Sequence, residues 1–319
     1  MIYSRKFHTA SLLQDGTVLI AGGFSGFDLV SASELYDPQT RNWMLIGSIK
    51  EKRYQYTASV LHDGKVLVTG GRNQTDCTNS CELYDPQTRK WTMTGSMHSS
   101  KCGHTASVLF NGKVLVVDTG TNSAELYDPS NGTWTMTDSM MYARNYHQAS
   151  VLLDGKVMIS GGINEDEDLY GVELYDPLAE KWTTTGSMHF ERYMHTTTVL
   201  QNGKVLAVGG TDDNFHGAEL YDSITGNWTV TSSLKVPRRY HTATLLTDGK
   251  ILVTGGVKKF HTSLKDAEVY DPSTETWSTI ESMSCERHRH QATTLVDGQI
   301  LITGETEYSP GQCSAELYH

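Results

Sequence analysis

Asp63-Gly64-Lys65-Val66-Leu67-Val68-Thr69-Gly70-Gly71 is the stretch on which the fold turns. It opens on a dipeptide that favours a tight turn, runs through a segment rich in β-branched side chains and stops at a double glycine. That is the pattern of a short strand entered from a hairpin. The turn recurs as Asp15-Gly16, Asn111-Gly112, Asp154-Gly155, Asn202-Gly203, Asp248-Gly249 and Asp297-Gly298. Asn-Gly and Asp-Gly tolerate positive φ at both central positions of a type I′ turn, whose twist suits a hairpin, so seven such hairpins are expected. The double glycine recurs as Gly22-Gly23, Gly161-Gly162, Gly209-Gly210 and Gly255-Gly256, while Asp118-Thr119 and Gly304-Glu305 depart from it. Both departures are expected to differ locally, because glycine permits backbone geometry that other residues resist.

Working outward, each hairpin is preceded by a Thr-, Val- and Leu-rich block that opens on His8, Tyr56, His104, His147, His195, His241 or His290. Downstream comes a connection of irregular length, then Tyr-Asp, as in Tyr36-Asp37 and Tyr84-Asp85, and then a tryptophan. All six tryptophans obey this rule: Trp43, Trp91, Trp134, Trp182, Trp228 and Trp277 lie 48, 43, 48, 46 and 49 residues apart. The repeating unit is therefore four antiparallel strands, A to D, and one all-β domain of seven units fills residues 1–319.

Composition agrees and excludes several classes. With 26 Lys+Arg against 37 Asp+Glu, the 319 residues carry a formal charge of −11, which argues against a sequence-independent nucleic-acid binder. Hydrophobic residues at 38% and charged residues at 20% are a globular balance. No apolar run approaches the ~18 residues of a membrane-spanning helix, so membrane insertion is not expected. The opening Met1-Ile2-Tyr3-Ser4-Arg5-Lys6 has no apolar core of a signal peptide.

The double glycine after strand B, the tyrosine on strand C and the tryptophan opening strand D resemble the kelch repeat, and no Gly-His or Trp-Asp signature of WD40 repeats accompanies them. The resemblance covers nearly the whole chain and implies a seven-bladed kelch-type β-propeller of four-stranded antiparallel blades. The seventh blade has a terminal Tyr318 but no tryptophan, so its outer strand is expected to be missing. Met1 aligns with Ile49, Met97, Met140, Met188, Leu234 and Met283, the apolar position that follows strand D. Either the last blade closes with three strands, or upstream residues of a longer chain carry the missing tryptophan strand; the place of Met1 favours the second. If the blade closes with three strands, its strand C is left with an exposed edge.

In propellers of this family the B–C and D–A connections emerge on one face, where ligands are commonly bound. Here the A–B turns are almost uniform, whereas the B–C connections range from Gly120-Thr121-Asn122-Ser123 to the acidic Asn164-Glu165-Asp166-Glu167-Asp168 and the basic Val257-Lys258-Lys259-Phe260. Recognition is expected on that face. At the start of strand A, Arg5, Arg53, Lys101, Arg144, Arg192, Arg238 and Arg287 share one register, and the His or Tyr of each unit follows three residues later. Converging guanidinium groups suit carboxylate or phosphate ligands, and some kelch propellers grip acidic peptides with arginines around the channel mouth. Arg5, Arg53, Arg144, Arg192, Arg238 and Arg287, with His147 and His195, are thus the candidate binding residues. The competing reading is structural: a residue recurring in every blade solves a problem common to every blade, with each arginine pairing to the Glu of Glu-Leu-Tyr-Asp or to carbonyl groups.

Six histidines spread around seven blades diverge, whereas zinc wants three or four ligands on one point, so no metal or other cofactor is expected. Nor does the sequence hold a Gly-x-Ser-x-Gly elbow, a phosphate loop or a His-Glu-x-x-His helix. The acid pairs Asp166/Asp168 and Asp212/Asp213 read as solvated loops. The expected function is a non-enzymatic scaffold for a protein, peptide, sugar or other small ligand. The alternatives are a galactose oxidase-like enzyme acting on sugars, and the module of a larger adaptor that docks acidic peptides.

The five cysteines all map to the loop-rich face. Cys81 or Cys77 is expected to bridge to Cys102, and Cys285 to Cys313. Such bridges, together with the sequons at Asn73, Asn131 and Asn227, lean toward an extracellular location.

Overall fold

A computed structural model describes residues 1–26, 28–164, 169–211, 217–258, 262–304 and 313–318. The acidic 165–168, the basic pair 259–260, Asp212, Asp213 and Glu305 lie outside the described residues. Among the described residues there are six four-stranded antiparallel sheets and one of three strands, with two short two-stranded ribbons at Phe24–Ser25/Asp28–Leu29 and Val257–Lys258/Thr262–Ser263. Each large sheet is one sequence unit. The second, for example, runs in chain order through Thr57–Val60, Val66–Thr69, Cys81–Asp85 and Lys90–Thr94. The seventh holds Gln291–Thr294, Ile300–Thr303 and Ala315–Tyr318, so its third strand forms an edge, as its missing tryptophan led one to expect.

The hairpin turns differ from expectation in type. Gly64 has φ +84°, but Asp63 is not among the residues at positive φ. Leu61 N–H donates to Lys65 O at 2.8 Å and Gly64 N–H to Leu61 O at 2.9 Å. This is a type I turn closed by a left-handed glycine, the three-residue hairpin connection, rather than a two-residue type I′ turn. The aspartate decides it. Asp63 Oδ1 accepts the Lys65 amide at 3.0 Å, so its side chain makes an Asx turn over the glycine and keeps its own φ negative.

Strand composition dictates the layering. The second strands, such as Val66–Thr69 and Val205–Val208, are buried at every position, as short apolar runs in a sheet covered on both faces must be. Across the third and fourth strands the tyrosine faces the tryptophan in register, Tyr84 opposite Trp91 and Tyr221 opposite Trp228, with ring centroids 5.2 and 5.1 Å apart. The tyrosine hydroxyls then reach the fourth strand of the preceding sheet: Tyr127 meets Thr94 at 2.7 Å and Tyr270 meets Thr231 at 2.9 Å.

The chain divides into two compact units. The first, Met1–Asp118 with Ala124–Met136 and His290–His319, contains the first, second, third and seventh sheets. Its apolar clusters lie between successive sheets, one of them joining Leu19, Ala21, Val66, Val68, Tyr84 and Trp91. The second unit, Thr119–Ser123 with Thr137–Arg289, contains the fourth, fifth and sixth sheets, with Met158, Val172, Val205, Ala207, Tyr221 and Trp228 packed together.

Candidate functional site

The arginines that begin each unit are inside the protein. Arg5, Arg53 and Arg192 have no exposed surface, Arg144 and Arg287 retain 1% and Arg238 retains 2%. Arg5 Nη1 donates to Gly22 O at 2.9 Å and Ala32 O at 2.6 Å, and Nη2 donates to Glu34 Oε1 at 2.6 Å. Glu34 in turn accepts the amides of Ile2 and Tyr3. The arrangement repeats with Arg53–Glu82, Arg144–Glu173, Arg192–Glu219 and Arg238–Glu268. Each guanidinium thus ties the end of the second strand, the segment before the third strand and a buried carboxylate into one knot. Burial lowers the pKa of Arg5, Arg192 and Arg238 against the opposing pull of their glutamates. Removing one partner would strand the other charge in the interior. Both competing sequence readings bear on these residues, and the geometry gives them to structure: a carboxylate ligand would have to displace Glu34 or its counterparts. The expectation that Arg5, Arg53, Arg144, Arg192, Arg238 and Arg287 face a ligand is corrected accordingly.

The third sheet solves the same problem differently. Lys101 Nζ donates to Ser99 Oγ at 2.6 Å and to Asp118 Oδ2 at 3.2 Å, and lies 3.1 Å from Glu125 Oε1 as an ion pair not aligned for a hydrogen bond. A lysine lacks the planar fork that reaches two carbonyls at once. Asp118, standing where the other sheets have the first glycine of the pair, brings a carboxylate to the ammonium instead.

The histidines are buried as well. His147 and His195 retain 3% and 1% of their surface. Where the partner is resolved, Nε2 meets a hydroxyl at the strand ends of the preceding sheet: Thr303 for His8 at 2.8 Å, Thr69 for His104 at 2.9 Å, Ser160 for His195 at 3.1 Å and Thr196 for His241 at 2.9 Å. Burial, reinforced by Arg192 and by His241 and His147, drives the pKa of His195 well below 6.5, so this ring is neutral. His147 and His195 accordingly join the arginines as interior residues.

What remains accessible lies between them. Two residues separate the buried cation from the buried His or Tyr in each unit: Lys6-Phe7, Tyr54-Gln55, Cys102-Gly103, Asn145-Tyr146, Tyr193-Met194, Arg239-Tyr240 and His288-Arg289. None of these is buried, and Tyr146 is 48% exposed. The second member of each pair has positive φ, from +52° at Arg289 to +72° at Gly103. Six of the seven are not glycine, and three of these are held by a backbone relay. Met194 N–H donates to Tyr146 O at 3.2 Å, Tyr240 N–H to Met194 O at 3.3 Å and Arg289 N–H to Tyr240 O at 3.0 Å.

Within the first unit these residues place the Tyr54 ring 5.8 Å from Phe7 and 6.1 Å from Phe24. Within the second, the Arg289 guanidinium lies 3.9 Å from the Tyr240 ring centroid, and Ser263 Oγ meets His288 Nδ1 at 3.0 Å. Aromatic faces beside cationic side chains suit stacking and hydrogen bonding to a ligand. Among the described residues no group of three His, Cys, Asp or Glu is placed to share a metal. The signal for these pairs in the sequence is two changing positions between two constant ones.

Of the cysteines, Cys77 is bonded to Cys102, with Cα atoms 5.4 Å apart. Cys81 is instead a free, buried thiol whose pKa burial pushes up to about 12. It sits on the strand Cys81–Asp85 facing the core, while Cys77 lies in the connection before it. Cys285 and Cys313 are both disulfide-bonded.

A model of the KLHDC2/KLHL20/DRC7 kelch-repeats domain matches residues 98–305, and a kelch-motif model matches residues 53–98. No curated protein matches the chain. Among solved structures, a fungal alcohol oxidase of the AA5 family in complex with copper is similar with a TM-score of 0.79 at 19% identity, over 94% of this chain and 70% of that one. YjhT is similar with a TM-score of 0.67 at 16% identity, over 87% of this chain and 98% of that one. Likeness at these identities is likeness of fold.

Proposed function

Because the chain belongs to the kelch-repeat family, we propose that it is a non-enzymatic binding module that recognises its ligand through the changing residue pairs between the buried cation and the buried His or Tyr of each blade. One observation carries this reading: in blades whose strands follow one plan, no two copies carry the same pair, and these residues stay accessible while their neighbours on both sides are buried. A binding surface needs asymmetry, and a repeated scaffold offers it only where the repeat is broken. The aromatic group around Tyr54 and the Arg289–Tyr240 stack are the anchors, as rigid rings and guanidinium groups are at other interfaces.

Copper oxidase chemistry of the galactose oxidase type is the rival, and the residues fit it poorly. Cys77 and Cys102 are tied to each other, and Nε2 of His8, His104, His195 and His241 is engaged with a hydroxyl.

The test is a screen of the protein against peptide and glycan arrays, repeated with Tyr54→Ala and Arg289→Ala and with the turn variants Leu178→Ser and Ile224→Ser. Ligands captured by the native chain should be lost with the first two and kept with the second two. Capture that survives the first pair and fails with the turn variants would move recognition to the opposite ends of the strands. Alcohol oxidation by copper-loaded protein would revive the enzymatic reading.

A further inference from the structure

Two neighbouring sheets of the second unit break the repeat at their rim. The connection into the fourth sheet carries Met141 and Tyr142, the segment before its third strand carries Tyr170, and the connection into the fifth sheet carries Phe190. All four are exposed, from 41% at Phe190 to 63% at Met141. Backbone bonds set them side by side. Met141 and Tyr142 donate their amides to the Glu173 carboxylate at 2.7 and 3.3 Å, three residues beyond Tyr170, and Met188 N–H donates to Tyr170 O at 2.9 Å. Tyr170 therefore stands between the two connections, and the four side chains share one apolar patch of the kind that marks an interaction site.

Their counterparts in the second and third sheets are polar. Glu51 and Ser99 stand there in the place of Tyr142 and Phe190. Asn79 and Asn122 stand in the place of Tyr170, and their side-chain amides donate to Met97 O at 2.8 Å and Met140 O at 3.0 Å. The main-chain bonds of Met97 to Asn79 and of Met140 to Asn122 recur as that of Met188 to Tyr170, so the fold does not require the tyrosine. Tyrosine has no amide to make the second bond, and its ring stays half in solvent.

The charge beside the rings is negative. Arg144 and Arg192, on the same two connections, are buried against Glu173 and Glu219 at 2.9 Å. Glu191, next to Phe190, is exposed. Glu165, Asp166, Glu167 and Asp168 are tethered to Tyr170 by two to five residues of chain.

We infer that Met141, Tyr142, Tyr170 and Phe190 form a docking surface for a basic segment of a partner protein, one in which arginine or lysine alternates with apolar side chains. The apolar side chains cover Met141 and Phe190, which water otherwise wets. The cations lie over the tyrosine faces and meet the carboxylates around them. An acidic segment would be repelled. The inference does not rest on the changing residue pairs of the proposed function.

The experiment titrates the intact protein with a decapeptide of alternating arginine and leucine, and with the same peptide carrying glutamate for arginine, by calorimetry at about 150 mM salt. The comparison is a Tyr142→Ser/Tyr170→Asn/Phe190→Ser variant, which gives the rim the residues of the third sheet and should unfold at the temperature of the native chain. The native chain should bind the arginine peptide one to one and the variant should bind it at least about tenfold more weakly. The glutamate peptide should bind neither. No binding of the arginine peptide, equal binding by the variant, or binding of the glutamate peptide would overturn the inference. So would loss of binding with Tyr54→Ala, which would move the peptide to the changing pairs, and so would self-association abolished by the rim variant, which would make a second copy the occupant.

Discussion

Lys101 Nζ donates to Asp118 Oδ2 at 3.2 Å inside the third sheet, whereas Arg5, Arg53, Arg144, Arg192 and Arg238 of other sheets each donate to a glycine carbonyl. The two exceptions to the repeat are therefore one exception. Lysine at the first position and aspartate at the second belong together.

Their coupling can be measured. Asp118→Gly alone leaves the ammonium with Ser99 and Glu125, and should cost about 1–3 kcal/mol. Lys101→Arg alone brings a larger side chain against a carboxylate where a carbonyl should be. The double variant restores the plan of the other sheets and should recover at least about 1 kcal/mol relative to the sum of the singles in denaturant unfolding. Strict additivity would show that the two departures are independent.

Tyrosine hydroxyls give a second contrast. Tyr127 is satisfied by Thr94 at 2.7 Å, but the buried hydroxyl of Tyr84 has no partner, because Ile46 occupies the place of the threonine. Tyr127→Phe should lower stability by about 1 kcal/mol. Tyr84→Phe should leave it unchanged or raise it, since it removes a desolvated group that bonds to nothing. Equal losses for both, in thermal or urea unfolding, would mean that an ordered water serves Tyr84.

His195 sets a pH dependence. Its pKa in the folded protein is well below 6.5, so below that pH the unfolded chain takes up a proton that the folded chain refuses. Its contribution is fully present above pH 6.5 and declines as the pH falls, by at most about 1.4 kcal/mol per pH unit. His195→Gln should flatten the acid limb of a stability profile measured between pH 7 and 5. An unchanged slope would place the titrating group elsewhere.

Thiol counting checks the cysteines. Four of the five are bonded and Cys81 is buried. Native, unreduced protein should react negligibly, and the same protein in denaturant should release one thiol equivalent. The Cys77–Cys102 bridge closes a loop with a sequence separation of 25, so a paired Cys77→Ser/Cys102→Ser variant should lose about 3–4 kcal/mol. Three or more thiols in denaturant would refute this pairing scheme.

The fold was legible because it depends on residues whose physics is local and repeated. A glycine that must turn, a tryptophan that must face a tyrosine and a short β-branched run can each be read without knowing what lies across the sheet. The turn type was not legible. Asp63 could equally have taken positive φ, and only its hydrogen bond to Lys65 decides otherwise. The candidate site was half legible. Arg192 and His195 announced themselves by recurrence, yet recurrence marked the frame. Tyr193 and Met194 between them looked like noise, because nothing in a linear reading says that two buried neighbours leave the pair between them accessible. Cys81 misled for a related reason: adjacency in sequence to Cys77 hides that one lies on a strand facing inward and the other in the connection before it.

The relay of Met194, Tyr240 and Arg289 along their own backbones has a practical corollary for protein engineering. Their main chains are fixed by amide-to-carbonyl bonds and by buried anchors on either side, so the side chains they carry are largely uncoupled from folding. Randomising the pairs other than Cys102-Gly103, with β-branched residues left out at the positive-φ second positions, should yield libraries in which most members still fold, which makes the repeat a ready framework for selecting new binders. Cys102-Gly103 stays fixed, because Cys102 is bonded to Cys77.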